Sequence, residues 1–208
     1  MAIQLDLSKP GTEAKRFVLD LRKAETFKVL LSWDSDHDPD AHALLCANGR
    51  VTDAEHILST HNVVRPTHPA GALKLNSDES FGLPNGALLH SGDALTGKPE
   101  GVAESITVNG AAIPSGINEV PVFITLFPKY GRQPKFREVK GATVTITDES
   151  SKPIVVDGKP MIFRLSDEFG EFDAVQPVNF VLGPNGWEVV LVGAGFNGNF
   201  NDVLANFS

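Results

Sequence analysis

Four aspartates occupy every second position in Trp33-Asp34-Ser35-Asp36-His37-Asp38-Pro39-Asp40-Ala41-His42, and a second acidic turn follows in Gly92-Asp93-Ala94-Leu95-Thr96-Gly97. Like charges a few Å apart raise one another's pKa and oppose any structure that gathers them. Water offsets that cost if the segment stays splayed. A bound hard cation offsets it if the segment closes and presents oxygens from several directions. The residue types leave two readings, a calcium site or a solvated acidic face.

Set on the EF-hand template, Asp34, Asp36, Asp38 and Asp40 fill positions one, three, five and seven. Pro39 stands where the sharp turn needs glycine, and Leu45 where a bidentate glutamate should close the sphere. The flanking segments read as strands, so the EF-hand is excluded. What remains is an interstrand loop rich in oxygen donors that needs further ligands from elsewhere in the fold. Asp93, in its glycine-flanked turn, is the best external donor, and Glu100 and Glu104 follow closely.

Other chemistries fit less well. Asp36-His37-Asp38 and Asp38-Pro39-Asp40 satisfy the Asp-x-Asp pattern by which some transferases hold phosphates through a divalent cation. Such enzymes need a nucleotide-binding α/β layer, whereas the chain has neither a glycine-rich phosphate loop after a strand nor alternating strands and helices. Histidines 37, 42, 56, 61, 68 and 90 form no metalloprotease-like spacing, although His42 and His90 adjoin the acidic motifs. Cys46 is the only cysteine and sits in an apolar run, the setting of a buried structural thiol in a reducing compartment. A non-enzymatic protein is expected.

The elements that position these residues read as strands. β-branched and aromatic runs recur between Gly, Pro, Asn and Asp, which predicts an all-β fold, an antiparallel β-sandwich with long loops and little helix. Candidate strands are Arg16 to Leu21, Phe27 to Trp33, Ala41 to Cys46, Ser105 to Asn109, Val120 to Phe127, Ala142 to Asp148 and Met161 to Leu165. In Ala142 to Asp148 the threonines alternate with Ala142, Val144 and Ile146, the pattern of a strand buried on one face. Val178 to Leu182 and Trp187 to Val192 flank Gly183-Pro184-Asn185-Gly186 and predict a hairpin, with Phe180 and Trp187 anchoring the core and Gly193-Ala194-Gly195 ending the second strand. Residues 199–207 predict a short closing helix, and residues 61–90 a long irregular loop that serves as a lid or contact surface or is simply mobile.

Composition bounds the partners. A chain of 208 residues, 41% hydrophobic and 21% charged, suits one large domain able to bury a core. With 18 basic against 26 acidic residues the formal net charge is -8, which argues against nucleic acid and for cations. The segment Met1 to Pro10 lacks the basic start and apolar stretch of a signal peptide, and no transmembrane segment is evident, so a cytoplasmic protein is expected.

Several of these motifs occur together and in a familiar order. Trp33-Asp34, Asp38-Pro39-Asp40 and the Gly92 to Gly97 turn are followed by Val144-Thr145-Ile146-Thr147-Asp148, by Phe163-Arg164-Leu165-Ser166-Asp167-Glu168-Phe169, and by Gly186-Trp187-Glu188 leading to Val192-Gly193-Ala194-Gly195-Phe196. From about Leu30 to Phe207 the chain resembles the tellurium-resistance TerD-like family. The resemblance implies a β-sandwich that binds calcium in loops at one end and serves bacterial stress response. It implies metal ligands at Asp38, Asp40 and Asp93, with Glu104 as a further one and the carbonyls around Leu95 and Gly97 as additions. Two departures point to a reduced site: Ala94 replaces the turn asparagine, and Val102 and Ala103 replace two of the acidic residues after the turn. Residues 63–82 also form a longer insertion than the family shows. Protein partners in a stress or assembly complex are expected beside the calcium ion. The alternative is a structural or interaction protein of a larger assembly, for example a phage particle or defence complex, that has lost most metal binding.

Overall fold

The computed structural model describes residues 15–17, 26–97, 101–129, 131–156 and 158–208. Two six-stranded antiparallel sheets pack face to face. One runs, in spatial order, β1 (Lys15–Phe17), β14 (Gly186–Phe196), β13 (Ala174–Gly183), β8 (Glu119–Phe127), β3 (Asp38–Leu44) and β4 (Ile57–Leu58). The other runs β12 (Ile162–Arg164), β9 (Thr143–Thr147), β2 (Thr26–Ser32), β7 (Glu104–Asn109), β6 (Leu88–His90) and β5 (Phe81–Gly82). A small ribbon pairs β10 (Val155–Val156) with β11 (Lys159–Pro160), and the helices are α1 (Leu165–Glu168) and α2 (Phe200–Ala205).

Alternation decides which side of each strand is buried. Phe27, Val29 and Leu31 of β2, Ile106 and Val108 of β7 and Val144 and Ile146 of β9 meet Ala41 and Ala43 of β3, Val122 and Ile124 of β8 and Val178 and Phe180 of β13. Phe27 and Phe180 touch across the two layers with ring centroids 5.6 Å apart. The two-residue period read in Ala142 to Asp148 holds, with Ala142, Val144 and Ile146 all buried.

A second, smaller cluster lies outside the first sheet. Phe123 alternates with the inward Val122 and Ile124, so it points away from the main core and packs with Leu44 and Cys46. Phe200 and Val203 of α2, with Phe207, cover this cluster. Asn199 caps α2, accepting from the backbone N–H groups of Asn201 and Asp202. The predicted closing helix is therefore present, and its apolar side serves as the lid of the outer face. Cys46 is fully buried beneath it, and burial, with the nearby Glu119 charge, pushes its thiol up to about 12.

Three expectations shift. β3 begins at Asp38 rather than Ala41 and ends at Leu44, because Asp38 and Asp40 pair in register with Phe127 and Thr125 of β8. The hairpin β13–β14 forms around Pro184–Asn185, but the glycines near its end do not stop the strand. Instead the register slips between Gln176 and Val178, where Gly193 adopts a φ of +56, and β14 runs on to Phe196 through this bulge. Finally, residues 61–90 are not one loop: they supply β5 and β6 and bury Val63, Leu73, Phe81 and Leu83 in the core. Of the first candidate strand, Lys15–Phe17 is β1 and residues 18–21 lie outside the described residues.

Candidate metal centre

β3 carries the first half of the site. Asp38, Asp40 and His42 occupy alternate positions, opposite in sense to the core-facing Ala41 and Ala43. The two aspartates are only 6% and 5% exposed. Asp40 accepts from the Thr60 hydroxyl at 3.0 Å, whereas Asp38 Oδ1 is buried with no hydrogen-bond partner. Burial first, then the neighbouring Asp93 and Glu104 charges, raises the Asp38 carboxyl to about 6. The same causes, with Asp38 added, hold Asp40 well above the usual carboxylate range.

The turn after β6 brings the second half. Asp93, Asp40 and Glu104 each set a carboxylate oxygen within 4.8 Å of the other two. Glu104, at the start of β7, is 0% exposed and uses both of its oxygens. It accepts from Ala41 N on β3 and from Ala94 N in the turn, each at 3.0 Å, and so ties the two sheets to the acidic turn. His90 Nδ1 accepts from Gly92 N at 3.1 Å, which places its ring proton on Nε2, 3.5 Å from Glu104 Oε2. The turn then seats against Trp33, whose Nε1 donates to His37 O. A Cβ on Gly97 would stand 2.4 Å from both the Trp33 ring and its carbonyl, so this approach requires glycine.

The described residues place the sequence-derived ligands unequally. Asp40, Asp93 and Glu104 converge, and Asp38 lines the same cavity of about 210 Å³ beside Asp40 and Asp93. Asp34 turns away to an ion pair with Lys140, and Asp36 is exposed. The carbonyls of Leu95 and Asp36 accept from Lys129 Nζ at 2.8 and 3.2 Å. Glu100 lies outside the described residues. Sequence reasoning missed Thr60, His61 and Arg65, which enter the cavity from the segment after β4. Arg65 pairs with Asp93 at 2.9 Å. Its only sequence signal was the extra length of the segment that carries it.

Carboxylates from opposite sheets of a β-sandwich, Asp40 on β3 and Glu104 on β7, thus meet beside the Asp93 turn. The chain belongs to the TerD domain family, whose pattern it matches over residues 3–207. It is 27% identical over 123 residues to General stress protein 16U of Bacillus subtilis, a match covering 59% of this chain and 61% of that protein. The chain thus spans about three fifths of that relative's length. It is 24% identical over 186 residues to tellurium resistance protein TerD of Serratia marcescens, covering 86% of this chain and 85% of that one. The solved structure of a homologue of telluride resistance protein TerD from Streptomyces coelicolor shares the fold, with a TM-score of 0.64 at 18% identity over 88% of this chain and 95% of the other. Among the described residues no helix is long and apolar enough to cross a membrane.

Proposed function

We propose that this chain is a non-enzymatic, calcium-binding stress-resistance module of the tellurite-resistance type, acting through protein partners in the cytoplasm. The observation that carries the metal reading is Asp38 Oδ1, a buried carboxylate oxygen without a partner in a cavity it shares with Asp40 and Asp93. Oxygen donors of this kind suit a hard cation, and a dication would neutralise charges that now repel. The names of the stress and tellurium-resistance relatives support the physiological half of the reading. The buried, protonated Cys46 thiol offers no nucleophile.

Calorimetric titration of chelator-stripped protein with calcium tests this. Micromolar binding is expected, lost in an Asp38→Ala/Asp93→Ala double variant, with a calcium-dependent rise in melting temperature only in the native chain. Absence of both heat and thermal shift in the native chain overturns the reading.

Arg65 supports a second reading in which metal binding has been given up for an interaction role, because its guanidinium already neutralises Asp93. The two readings diverge on one variant. If calcium is the physiological ligand, Arg65→Ala should tighten binding up to about fivefold, since a partly exposed pair contributes at most about 1 kcal/mol and a competing cation leaves with it. If the pair replaces the ion, Arg65→Ala creates calcium binding where the native chain has none.

A further inference from the structure

The oxygen cluster does not exhaust the ligating groups on β3. Two residues beyond Asp40, on the same side of the strand, stands His42, and His61 approaches from the 3-10 turn Thr60–Asn62. Asp40, His42 and His61 each bring one ligand atom within 4.8 Å of the other two. We propose that these three residues form a second, transition-metal subsite that takes zinc(II) and shares Asp40 with the oxygen cluster. It goes beyond the calcium reading, and its two imidazole donors belong to it alone.

The His42 ring is 0% exposed, yet only one of its nitrogens is used: Nε2 lies 2.9 Å from Thr125 Oγ1, while Nδ1 has no partner. A buried imidazole with one nitrogen to spare is costly unless something occupies it. A metal-ligating histidine characteristically gives its other nitrogen to a neighbouring oxygen, the relation His42 has with Thr125.

Donor chemistry separates the two subsites. Two imidazoles and one carboxylate suit zinc and its neighbours, whereas calcium prefers the all-oxygen set of Asp38, Asp40 and Asp93. Zinc bonds of about 2.0–2.2 Å require the three atoms to draw closer than 4.8 Å, and His61, on an exposed turn, is the side chain that can move. A cavity of about 200 Å³ lined by Asp40, His61, Thr125, Phe127 and Phe200 opens beside them, with room for water as a fourth ligand. Phe200 stacks on the His42 ring at 4.1 Å.

Chelator-stripped full-length protein, titrated with zinc against a chromophoric chelator, tests the proposal. One zinc per chain is expected, weakened at least tenfold by His61→Ala and by His42→Gln. Asp93→Ala should weaken calcium and leave zinc bound, and Asp40→Asn should weaken both. Cobalt(II) should give the intense visible absorption of a four-coordinate site in the native chain and not in His61→Ala. Stoichiometric zinc binding that survives both histidine variants, or its absence from the native chain, overturns the proposal. Because His61 is exposed, its variant reports even if His42→Gln fails to fold. Loss of calcium heat with zinc binding intact would refute the calcium reading alone.

Discussion

Glu104→Ala should destabilise the metal-free protein by about 2–4 kcal/mol, the largest loss expected from any carboxylate among the described residues. Two backbone N–H groups, Ala41 N and Ala94 N, would lose their carboxylate acceptor, and an unsatisfied buried donor costs about 1–3 kcal/mol. Relief of repulsion with Asp38 and Asp40 returns part of that. For a chain of this size the melting temperature should fall by roughly 2–4 °C per kcal/mol. Glu104→Gln keeps the shape and one acceptor but turns an amide donor toward an N–H, so it should fall between. Thermal and urea unfolding check the order. If Glu104→Ala melts within a degree of the native chain, the carboxylate does not tie the sheets together.

Asp38→Asn should act in the opposite direction. The Asp38 carboxyl is raised to about 6 from 3.8, so the folded state holds its proton more tightly than the unfolded one. Its contribution to stability is fully present below the unfolded value and is lost as pH rises through about 6. At pH 7.5 the buried charge is therefore a liability of up to about 3 kcal/mol before solvent screening, which asparagine removes. In chelator the variant should melt above the native chain at pH 7.5, the advantage shrinking as pH falls through 6 and vanishing near 4. Calcium should reverse the ranking, because the native chain gains a ligand that the variant binds poorly. Melting curves at several pH values, with chelator and with calcium, read both effects. A variant less stable than the native chain in chelator at pH 7.5 would mean that the Asp38 charge is already neutralised within the fold.

Most strands were legible because a half-buried sheet imposes a two-residue period, as in Ala142 to Asp148, and because Gly-Pro-Asn-Gly can hardly be anything but a turn. That Asp38, Asp40, Asp93 and Glu104 come together was legible from residue type and motif order. Their surroundings were not. β5 and β6, at two and three residues, are too short for alternation to register. Gly193 looks like a strand terminator until its partner strand shows that it lies in a bulge. Arg65 and His61 reach the acidic cavity only because β4 pairs with β3, a non-local register that no local pattern encodes. For the same reason His42, singled out beside the acidic motif, has no second imidazole near it in sequence, and only the fold brings His61 to it.

That cover comes from a distant part of the chain. Phe200, Val203 and Phe207 shield Leu44, Cys46, Phe123 and His42, and Phe207 O accepts from Val51 N at 2.6 Å. During vectorial synthesis β3 and β8 emerge long before α2 exists, and for that interval their outer face is an apolar patch with a half-used imidazole in its midst. Nascent or prematurely terminated chains that stop short of Phe200 should consequently engage chaperones or self-associate through this face, with the sandwich behind it already formed. Helix α2 thus works as a seal added after the sheet it covers, and proteolytic cleavage before it would uncover a sticky surface.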